Sequence, residues 1–365
     1  MGAGHQGAAM ELGRRFLGRG HTPVVVDFLD AFPGPLAQLW EHFYRLQLRY
    51  APNSYESSYQ LFYRHPALWG PFVAFERALA GRRVMAWVDE HQPDVIVSTY
   101  SFATLVLGRL REEGTLRVPV VNFLTDFGVH PRAVHPAADL NLALHQVSAQ
   151  AAAALSGVRT VVAGPAVAPS FVDAPSRRAR SRLDLGVSDA DRLVVVVAGS
   201  WGIGQQLAET VAAIARSGRF RVVTVCGTDR RLRRRLERQG AGTVMGWTDR
   251  MPALLAAADV VVENAGGLTS IEAFAAGVPI VTFRPIPGHG RDNMRGMRTA
   301  GVTTSPSDLA GLLDALDGLC GPGDARTRQV SAASALFCDD PADHILRLVA
   351  ERMSVTARRC RRTPA

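Results

Sequence analysis

The sequence predicts an α/β protein built from two doubly wound domains. Its length of 365 residues exceeds one ordinary domain and suits two of about 150 to 200 residues, each with its own core. Short β-branched runs alternate with helical segments in both halves, which is typical of buried parallel strands. Ligands are then expected beyond the carboxyl ends of the strands. The predicted strands are 22–27, 94–99, 118–124, 160–163, 193–198, 220–226, 259–263 and 279–283.

A proline-rich connector separates the two halves. Residues 164–176 read GPAVAPSFVDAPS, and proline with small residues marks a linker. We therefore expect one domain over 1–170, a second over 171–340, and a C-terminal helix with a basic tail over 341–365.

The charge pattern favours an anionic partner. The net charge of +8 comes mainly from arginines at 177–182, 230–238 and 358–362, and such a surface attracts anions. Because no DNA- or RNA-binding motif is present, we expect no nucleic-acid partner. An anionic membrane surface and an ordinary solvated surface stay open as alternatives.

The cysteines and the hydropathy pattern point to the cytoplasm. Cys226, Cys320, Cys338 and Cys360 form no CxxC pair, so we expect neither a disulfide framework nor a zinc site. No apolar run approaches the roughly 20 residues that span a bilayer, and no signal-peptide pattern opens the chain. We expect a cytoplasmic protein, with peripheral attachment to the inner face of the plasma membrane as the alternative.

An aromatic segment interrupts the α/β pattern near 36–88. Residues 40–87 hold twelve of the 26 aromatic residues, interleaved with arginines. Amphipathic rings beside arginines suit a membrane interface, so we expect an insertion that contacts a membrane or the acceptor. The alternative is that these rings form the core of inserted helices.

Glycine-rich loops precede helices in both halves. Gly4 and His5, in GAGHQGAA, and Gly199, Ser200 and Gly202, in GSWGIG, stand where the backbone can approach an anion at a helix N-terminus. A loop of the first kind normally follows a strand, so the first strand of the N-terminal sheet is predicted to be missing. We expect that the true chain begins upstream of Met1.

The segment 246–293 predicts a nucleotide site. A strand at 259–263 leads into a small-residue turn at 265–269 and then a helix that carries Glu272. Amides of the turn can hold a diphosphate, and a carboxylate one turn further on can accept hydrogen bonds from ribose hydroxyls. The alternative for Glu272 is an acid that only complements the helix dipole.

The same residues resemble a known family. Gly246-Trp247, the turn at 265–269, Glu272-Ala273, Gly277-Val278-Pro279 and the loop from Pro287 to Asn293 resemble the donor domain of GT-B glycosyltransferases. The resemblance is to the monogalactosyldiacylglycerol synthase and diacylglycerol glucosyltransferase family, related to the peptidoglycan lipid-intermediate GlcNAc transferase. GAGHQGAA, Leu124-Thr125-Asp126 and GPAVAPSF resemble that family's N-terminal motifs.

The resemblance implies two Rossmann-like domains facing across a cleft. It also implies inverting, metal-independent transfer of a hexosyl group from a UDP-sugar to a lipid hydroxyl such as that of diacylglycerol. No cofactor is expected, since the UDP-sugar is a co-substrate. Asp126 is the first candidate for the base and His5 the second, with Gly4 and His130 on the acceptor side. The implied donor-binding residues are Gly199, Ser200, Gly202, Gly246, Trp247, Met251, Asn264, Gly266, Gly267, Leu268, Thr269, Glu272, His289, Asp292 and Asn293.

Two departures from the family concern the donor. The family's sugar-contacting Gln-Glu is replaced in the loop that holds His289 and Asp292, so Asp292 is the expected substitute carboxylate. Asn264 stands where the family has lysine. A secondary-metabolite glycosyltransferase, a nucleotide-sugar 2-epimerase and a non-catalytic nucleotide-sugar-binding protein are the alternatives, although an epimerase has no need of a large aromatic insertion.

Overall fold

The computed structural model describes residues 3–204, 206–337 and 339–360. Gly2 of the N-terminal loop, Cys338 and the tail arginines Arg361 and Arg362 lie outside the described residues.

Two parallel sheets organise the described chain. The first has four strands in the order β1-β2-β3-β4, and the second has five in the order β7-β6-β5-β8-β9. Every strand pair is parallel. The strands are β1 Ile96–Ser98, β2 Val120–Phe123, β3 Leu140–Ala143, β4 Thr160–Val162, β5 Leu193–Val197, β6 Arg221–Val225, β7 Thr243–Met245, β8 Val260–Glu263 and β9 Ile280–Thr282. In the second sheet the order reverses between β5 and β8, and such a switch point opens a ligand crevice at the strand ends.

Sixteen α-helices connect and cover these sheets within the described residues. Those of the first half are α1 Ala3–Leu17, α2 Leu36–Tyr50, α3 Pro52–Arg64, α4 Gly70–His91, α5 Ser101–Glu112 and α6 Gln146–Ser156. The others are α7 Pro169–Val172, α8 Arg178–Asp184, α9 Leu207–Arg216, α10 Arg230–Gln239, α11 Met251–Ala257, α12 Leu268–Ala275, α13 His289–Thr299, α14 Leu309–Cys320, α15 Asp324–Ser334 and α16 Pro341–Cys360. None of the described helices is both long enough and apolar enough to cross a bilayer.

Seven of the eight predicted strands are present, and their ends either coincide with the prediction or fall one or two residues inside it. The prediction for 22–27 is wrong, because this stretch is extended but pairs with no strand among the described residues. Val25 packs against Gly13 of α1 instead, so closely that a Cβ added to that glycine would lie 3.2 Å from Val25 Cγ2. The strands β3 and β7 were not predicted; β3 is short and has no β-branched residue.

The second sheet has a fully buried centre. All five residues of β5 and all four of β8 are buried. Asp259, just before β8, accepts hydrogen bonds from Arg178 at 2.6 Å and from the Leu193 backbone nitrogen at 2.7 Å. This buried carboxylate ties the segment that enters the second half to the start of the sheet.

The C-terminal helix α16 returns to the first half. Arg15 of α1 and Arg19, just after that helix, pair with Asp340 at 3.0 and 2.6 Å, directly before α16, and Arg352 of α16 pairs with Asp139. The two sheets are therefore joined both by the connector and by this last helix, which keeps α1 at the mouth of the crevice.

Candidate active site

A cavity of about 990 Å³ lies between the two halves, at the carboxyl ends of both sheets. Most of the sequence-predicted site residues line it. They are Gly4, His5, Asp126, His130, Gly199, Ser200, Trp247, Met251, Asn264, Gly267, Leu268, Thr269, Glu272, His289 and Asn293. Gly202, Gly246, Gly266 and Asp292 do not line the cavity.

The turn after β8 is held by Glu263, a residue that the sequence analysis missed. Its Oε2 accepts from the backbone nitrogens of Ala265 and Gly266 at 2.7 and 2.5 Å, and its Oε1 accepts from Thr282 Oγ1 at 2.5 Å. Burial raises the pKa of this carboxyl, and the three donors oppose that effect. A carboxylate at the end of a buried strand was the available signal, since such a group needs donors close by.

Gly266 and the start of α12 form an anion-binding arrangement. Gly266 has φ +67°, and a Cβ there would lie 2.6 Å from the Asn293 Cβ, so only glycine fits. The backbone nitrogens of Leu268 and Thr269, at the first positions of α12, have no hydrogen-bond acceptor among the described residues. Both residues line the cavity, so free amides and the positive end of the helix dipole face it.

Glu272 lies one turn further along α12. It lines the cavity, and its carboxyl makes no hydrogen bond to the described part of the chain, although its backbone carbonyl accepts from the Ala276 nitrogen at 3.0 Å. Burial raises the pKa of its carboxyl to about 8. The carboxyl is half-buried in the cavity wall, and a partly desolvated carboxyl gains from a ligand that donates to it, so Glu272 is arranged to receive hydroxyl donors.

The glycine loop after β5 borders the same end of the cavity. Gly202 has φ +65°, and a Cβ there would lie 2.4 Å from the Asp229 Cβ. Gly202 therefore shapes the loop, while Gly199 and Ser200 line the cavity. Asn264 donates from Nδ2 to the Ile203 carbonyl at 3.0 Å, which ties the loop to the end of β8.

Trp247 and Met251 mark the rim beyond β7. The Trp247 side chain is 62% exposed although it lines the cavity, and Met251 is the first residue of α11. Gly246 follows β7 directly and contributes backbone only. A flat ring at an open rim suits stacking on a planar base.

His5 is fixed in one orientation on the acceptor side. Its Nδ1 lies 2.7 Å from the Thr99 carbonyl oxygen and 3.0 Å from Thr125 Oγ1. Because a carbonyl only accepts, the hydrogen bond assigns the proton to Nδ1 and leaves a lone pair on Nε2. Burial lowers the pKa of His5, and the nearby Asp126 carboxylate opposes that shift.

Asp126 is joined to the donor half through Asn293. Asn293 Nδ2 donates to Asp126 Oδ1 at 2.9 Å and to the Ala265 carbonyl at 3.0 Å. Its Oδ1 accepts from the Gly128 backbone nitrogen at 2.8 Å. One side chain, only 1% exposed, thus holds the two halves in register at the centre of the cleft.

His289 and Asp292 lie in the first turn of α13, within the stretch of sequence that departs from the family. His289 Nδ1 is 3.1 Å from the Tyr55 hydroxyl, and burial lowers the pKa of its imidazole. Asp292 accepts from Tyr59 OH at 2.7 Å and from Arg295 at 2.6 Å. Asp292 does not line the cavity, and its two carboxylate oxygens are engaged by Tyr59 of α3 and by Arg295 of α13.

His130 packs in the acceptor-side wall. Its Nδ1 accepts from the Arg132 backbone nitrogen at 3.1 Å, and its ring centroid lies 4.4 Å from that of Tyr59. Burial lowers the pKa of His130 to about 4. The imidazole is therefore neutral near pH 7 and supports the turn before Arg132.

The aromatic insertion closes one side of the cavity and reaches the donor half. Arg49 of α2 pairs with Asp229 at 2.5 Å, and the Arg45 guanidinium lies 4.5 Å from the Trp201 ring centroid. Glu56 of α3 accepts from the Gly288 backbone nitrogen at 2.6 Å. Sequence reasoning gave no sign of these contacts, because the partners are far apart in the chain.

Comparisons with known proteins agree with this architecture. Residues 5–162 match the model of the monogalactosyldiacylglycerol (MGDG) synthase family, and residues 193–321 match that of glycosyl transferases group 1. The chain is similar to a processive diacylglycerol beta-glucosyltransferase of Bacillus subtilis (strain 168). Identity is 25% over 276 residues, which cover 73% of this chain and 71% of the relative.

Solved structures share the fold. The structure of Anabaena Alr3699/HepE in complex with UDP is similar at a TM-score of 0.51 and 22% identity, over 78% of this chain and 82% of that one. A putative UDP-N-acetylglucosamine 2-epimerase from Listeria monocytogenes is similar at a TM-score of 0.58 and 15% identity, over 78% and 80% of the two chains.

The fold consists of two parallel sheets that face each other across a cleft. One side of the cleft carries a helix N-terminus and an acid, and the other carries His5 and Asp126. This arrangement is that of a GT-B glycosyltransferase. The chain is a glycosyltransferase whose first half matches the monogalactosyldiacylglycerol synthase family and whose second half matches glycosyl transferases group 1, and it is similar to diacylglycerol glucosyltransferases. The fold class predicted from the sequence is confirmed.

Proposed function

We propose that this glycosyltransferase moves a hexosyl group from a UDP-sugar to the hydroxyl of a lipid or lipid-like acceptor of the diacylglycerol type, with inversion and without a metal ion. The observation that carries the proposal is the position of Glu272. Its unpartnered carboxyl lies one turn after the free amides of Leu268 and Thr269, and all three line the cavity that holds His5 and Asp126.

The donor fits the second half of the cavity. A diphosphate would accept from the amides at the start of α12 and from the loop at Gly199 and Ser200, while ribose hydroxyls would donate to Glu272. The uracil ring of the nucleotide would stack on Trp247 at the rim of the cavity. The Anabaena protein of the same fold is a complex with UDP, which supports this choice of nucleotide.

The acceptor fits the aromatic end of the cavity. Rings from the insertion and from α5 line that end: Trp40, Phe43, Phe62, Trp69, Phe72 and Phe102. Apolar area of this kind is favourable for acyl chains, at about 25 cal/mol per Å² removed from water. The Bacillus subtilis relative is named a diacylglycerol glucosyltransferase, which supports a lipid alcohol.

His5 is proposed as the base. The acceptor hydroxyl attacks the anomeric carbon, the bond from that carbon to the β-phosphate oxygen breaks, and the hydroxyl proton passes to His5 Nε2. Asp126 then stabilises the imidazolium that forms. The hydrogen bonds favour His5 over Asp126 for this role, because Nε2 is free while Asp126 Oδ1 is engaged by Asn293. A single displacement inverts the anomeric configuration.

The free amides of α12 are proposed to stabilise the leaving diphosphate in place of a metal ion. Helix N-termini carry about half a positive charge and stabilise anions. In the described part of the chain, no group of three or more His, Cys, Asp or Glu side chains is arranged to hold a metal. Turnover in excess chelator tests this point directly, and loss of turnover that Mg²⁺ restores would contradict it.

Nucleotide binding and product stereochemistry test the chemical proposal. Isothermal titration is expected to show binding of UDP and far weaker binding of ADP and GDP. Transfer from an α-linked UDP-hexose is expected to give a β-linked product by proton NMR. Equal binding of all three nucleotides, or an α-linked product, would contradict the proposal.

The insertion is also proposed to bind an anionic membrane surface. Its exposed apolar residues include Leu39 at 63%, Phe43 at 61%, Tyr50 at 66% and Phe75 at 57%, and exposed arginines stand beside them at 64, 82 and 83. Flotation with vesicles that contain phosphatidylglycerol should recover the protein at low salt and lose it at high salt. Equal recovery with neutral vesicles would contradict the proposal.

A further inference from the structure

A buried guanidinium stands in the wall at the acceptor end of the cavity. Arg132 Cζ lies 3.5 Å from the centroid of the Trp69 ring and 4.1 Å from that of Phe102. The Arg132 side chain is 16% exposed and lines the cavity. The cation is thus held between two aromatic faces inside a site that is otherwise lined by apolar rings.

Unsatisfied polar atoms concentrate around this residue. Nine buried side-chain nitrogen or oxygen atoms in the described residues have no hydrogen-bond partner. Five of the nine belong to one group: Trp69 Nε1, Glu76 Oε2, Tyr100 OH and the Nε and Nη2 of Arg132. Because buried polar atoms in proteins are almost always paired, such a cluster indicates a place where a ligand supplies the partners.

The cluster has an excess of donors. Four of its atoms carry a donor hydrogen, on Trp69, Tyr100 and Arg132, while acceptor oxygens come only from the Glu76 carboxyl and the Tyr100 phenol. The nearest approach between Arg132 and Glu76 is 3.6 Å, too long for a hydrogen bond. The missing partner is therefore a group rich in acceptor oxygens.

The local charge has the sign that an anion needs. Burial raises the pKa of Glu76 to about 8, so this carboxyl is mostly protonated near pH 7. Burial lowers the pKa of Arg132 to about 10, which still leaves the guanidinium charged. The pair then carries a net positive charge in a site of low dielectric constant.

The cluster is close to the proposed base. The ring centroids of His5 and Tyr100 are 5.1 Å apart, and those of Tyr100 and Phe102 are 5.2 Å apart. Phe102 is in turn the ring over which Arg132 lies. Two rings therefore separate His5 from Arg132, a span suited to an acceptor whose charged group is several bonds away from its reacting hydroxyl.

We propose that Arg132, with Tyr100 and Trp69, binds a phosphate group of the acceptor, so that the preferred acceptor is a hydroxyl-bearing phospholipid rather than neutral diacylglycerol. This inference rests on the proposed function and specifies its acceptor. The phosphate oxygens accept from the guanidinium, the phenol and the indole. The acyl chains lie among the rings of the insertion, and the headgroup hydroxyl points to His5.

Matched acceptors test the inference. Phosphatidylglycerol and diacylglycerol with identical short acyl chains are compared at fixed UDP-sugar. The wild-type kcat/KM is expected to be roughly 10- to 100-fold higher for phosphatidylglycerol, the range for a charge-assisted hydrogen bond. Arg132→Met is expected to remove that preference, because it lowers kcat/KM for phosphatidylglycerol far more than kcat/KM for diacylglycerol. Arg132→Lys, which keeps the charge but loses the planar fork, should give an intermediate preference and guards against loss of folding.

The outcomes separate the two proposals. Equal wild-type use of both lipids, or equal losses for both lipids in Arg132→Met, would overturn the phosphate assignment alone. Intact UDP binding with no transfer to either lipid would instead overturn the proposed function. Glycerophosphoglycerol should compete with the phospholipid more strongly than inorganic phosphate does. Equal competition by inorganic phosphate would assign the site to free phosphate.

Discussion

Asn293 donates a hydrogen bond to Asp126 across the cleft, at 2.9 Å between Nδ2 and Oδ1. The first residue belongs to α13 of the donor half and the second follows β2 of the acceptor half. The same amide also binds the Ala265 carbonyl at the nucleotide turn. The candidate catalytic pair and the candidate donor site are thus one connected structure.

Removal of the proposed base should abolish most transfer. His5→Ala is expected to lower kcat by about 10²- to 10⁴-fold, the usual contribution of a general base, and to leave UDP affinity unchanged. Transfer assays and isothermal titration on the same preparation measure the two quantities. A variant that retains wild-type kcat would remove His5 from the mechanism.

The pH dependence of the transfer rate should report the protonation of His5. Because burial lowers the pKa of His5 below 6.5, its neutral, proton-accepting form persists below the pH at which a free histidine is half protonated. At saturating UDP-sugar, where Glu272 is already bound to the donor, kcat is therefore expected to stay constant from pH 8 down to 6.5 and to fall only as the pH drops through the lowered pKa. A limb that rises above pH 7 would contradict a buried neutral base.

Asp126 should act through the charge of its carboxylate. Asp126→Asn is expected to lower kcat by at least roughly 100-fold, because the imidazolium formed on His5 loses its counter-charge. The acid limb of the profile should also move to lower pH, since the Asp126 carboxylate raises the pKa of His5. UDP binding should persist. Loss of UDP binding would show that the Asn293 bridge, rather than the charge, is the main contribution.

The contribution of Glu272 to nucleotide affinity should depend on the number of ribose hydroxyls in the ligand. Glu272→Gln is expected to weaken UDP binding about 10-fold, because the amide offers the ribose hydroxyls one acceptor oxygen in place of two. The same change should weaken a 2′-deoxyuridine diphosphate less, because that ligand lacks one donor. Glu237→Gln on the exposed face of α10, a residue whose side chain is 44% exposed, is the matched control. Equal losses for both nucleotides would remove the ribose assignment.

Two adjacent glycines provide a test of the nucleotide turn. Gly266→Ala combines a left-handed φ with a Cβ that would lie 2.6 Å from the Asn293 Cβ, and should lower the free energy of unfolding by about 2–4 kcal/mol. Gly267→Ala, at φ −94° with open space around its Cβ, should leave it almost unchanged. Denaturant unfolding of both variants measures the difference. Similar stability for the two would contradict the described turn.

The donor turn and most strands could be predicted from the sequence because their signals are local. β-branched runs mark buried strands, and the glycines at 266 and 267 mark a turn that precedes a helix. The run at 22–27 has the same β-branched pattern but packs on α1. This could not be predicted, because a local pattern does not show whether an extended segment pairs with a sheet. β3, at Leu140–Ala143, was missed because leucine and alanine do not distinguish strand from helix.

The acceptor side was less predictable because its contacts are long-range. The aromatic content of 40–87 was visible, yet nothing local states that Tyr59 binds Asp292 or that Arg49 pairs with Asp229. The role of Glu263 depends on a hydrogen-bond count that requires coordinates. The sequence does not distinguish Arg132 from the other arginines, because its significance depends on the unpaired buried polar atoms around it.

The transfer reaction itself tests the central claim most directly. The purified protein is incubated with each of several labelled UDP-sugars in turn and with a mixture of diacylglycerol and phosphatidylglycerol, and the lipid extract is analysed by mass spectrometry. The account predicts a hexosyl lipid from at least one donor, with one UDP released per product, and at least roughly 100-fold slower formation of this product by Asp126→Asn. UDP binding without any glycolipid, or conversion of the donor only to free sugar or to an epimer, would contradict it.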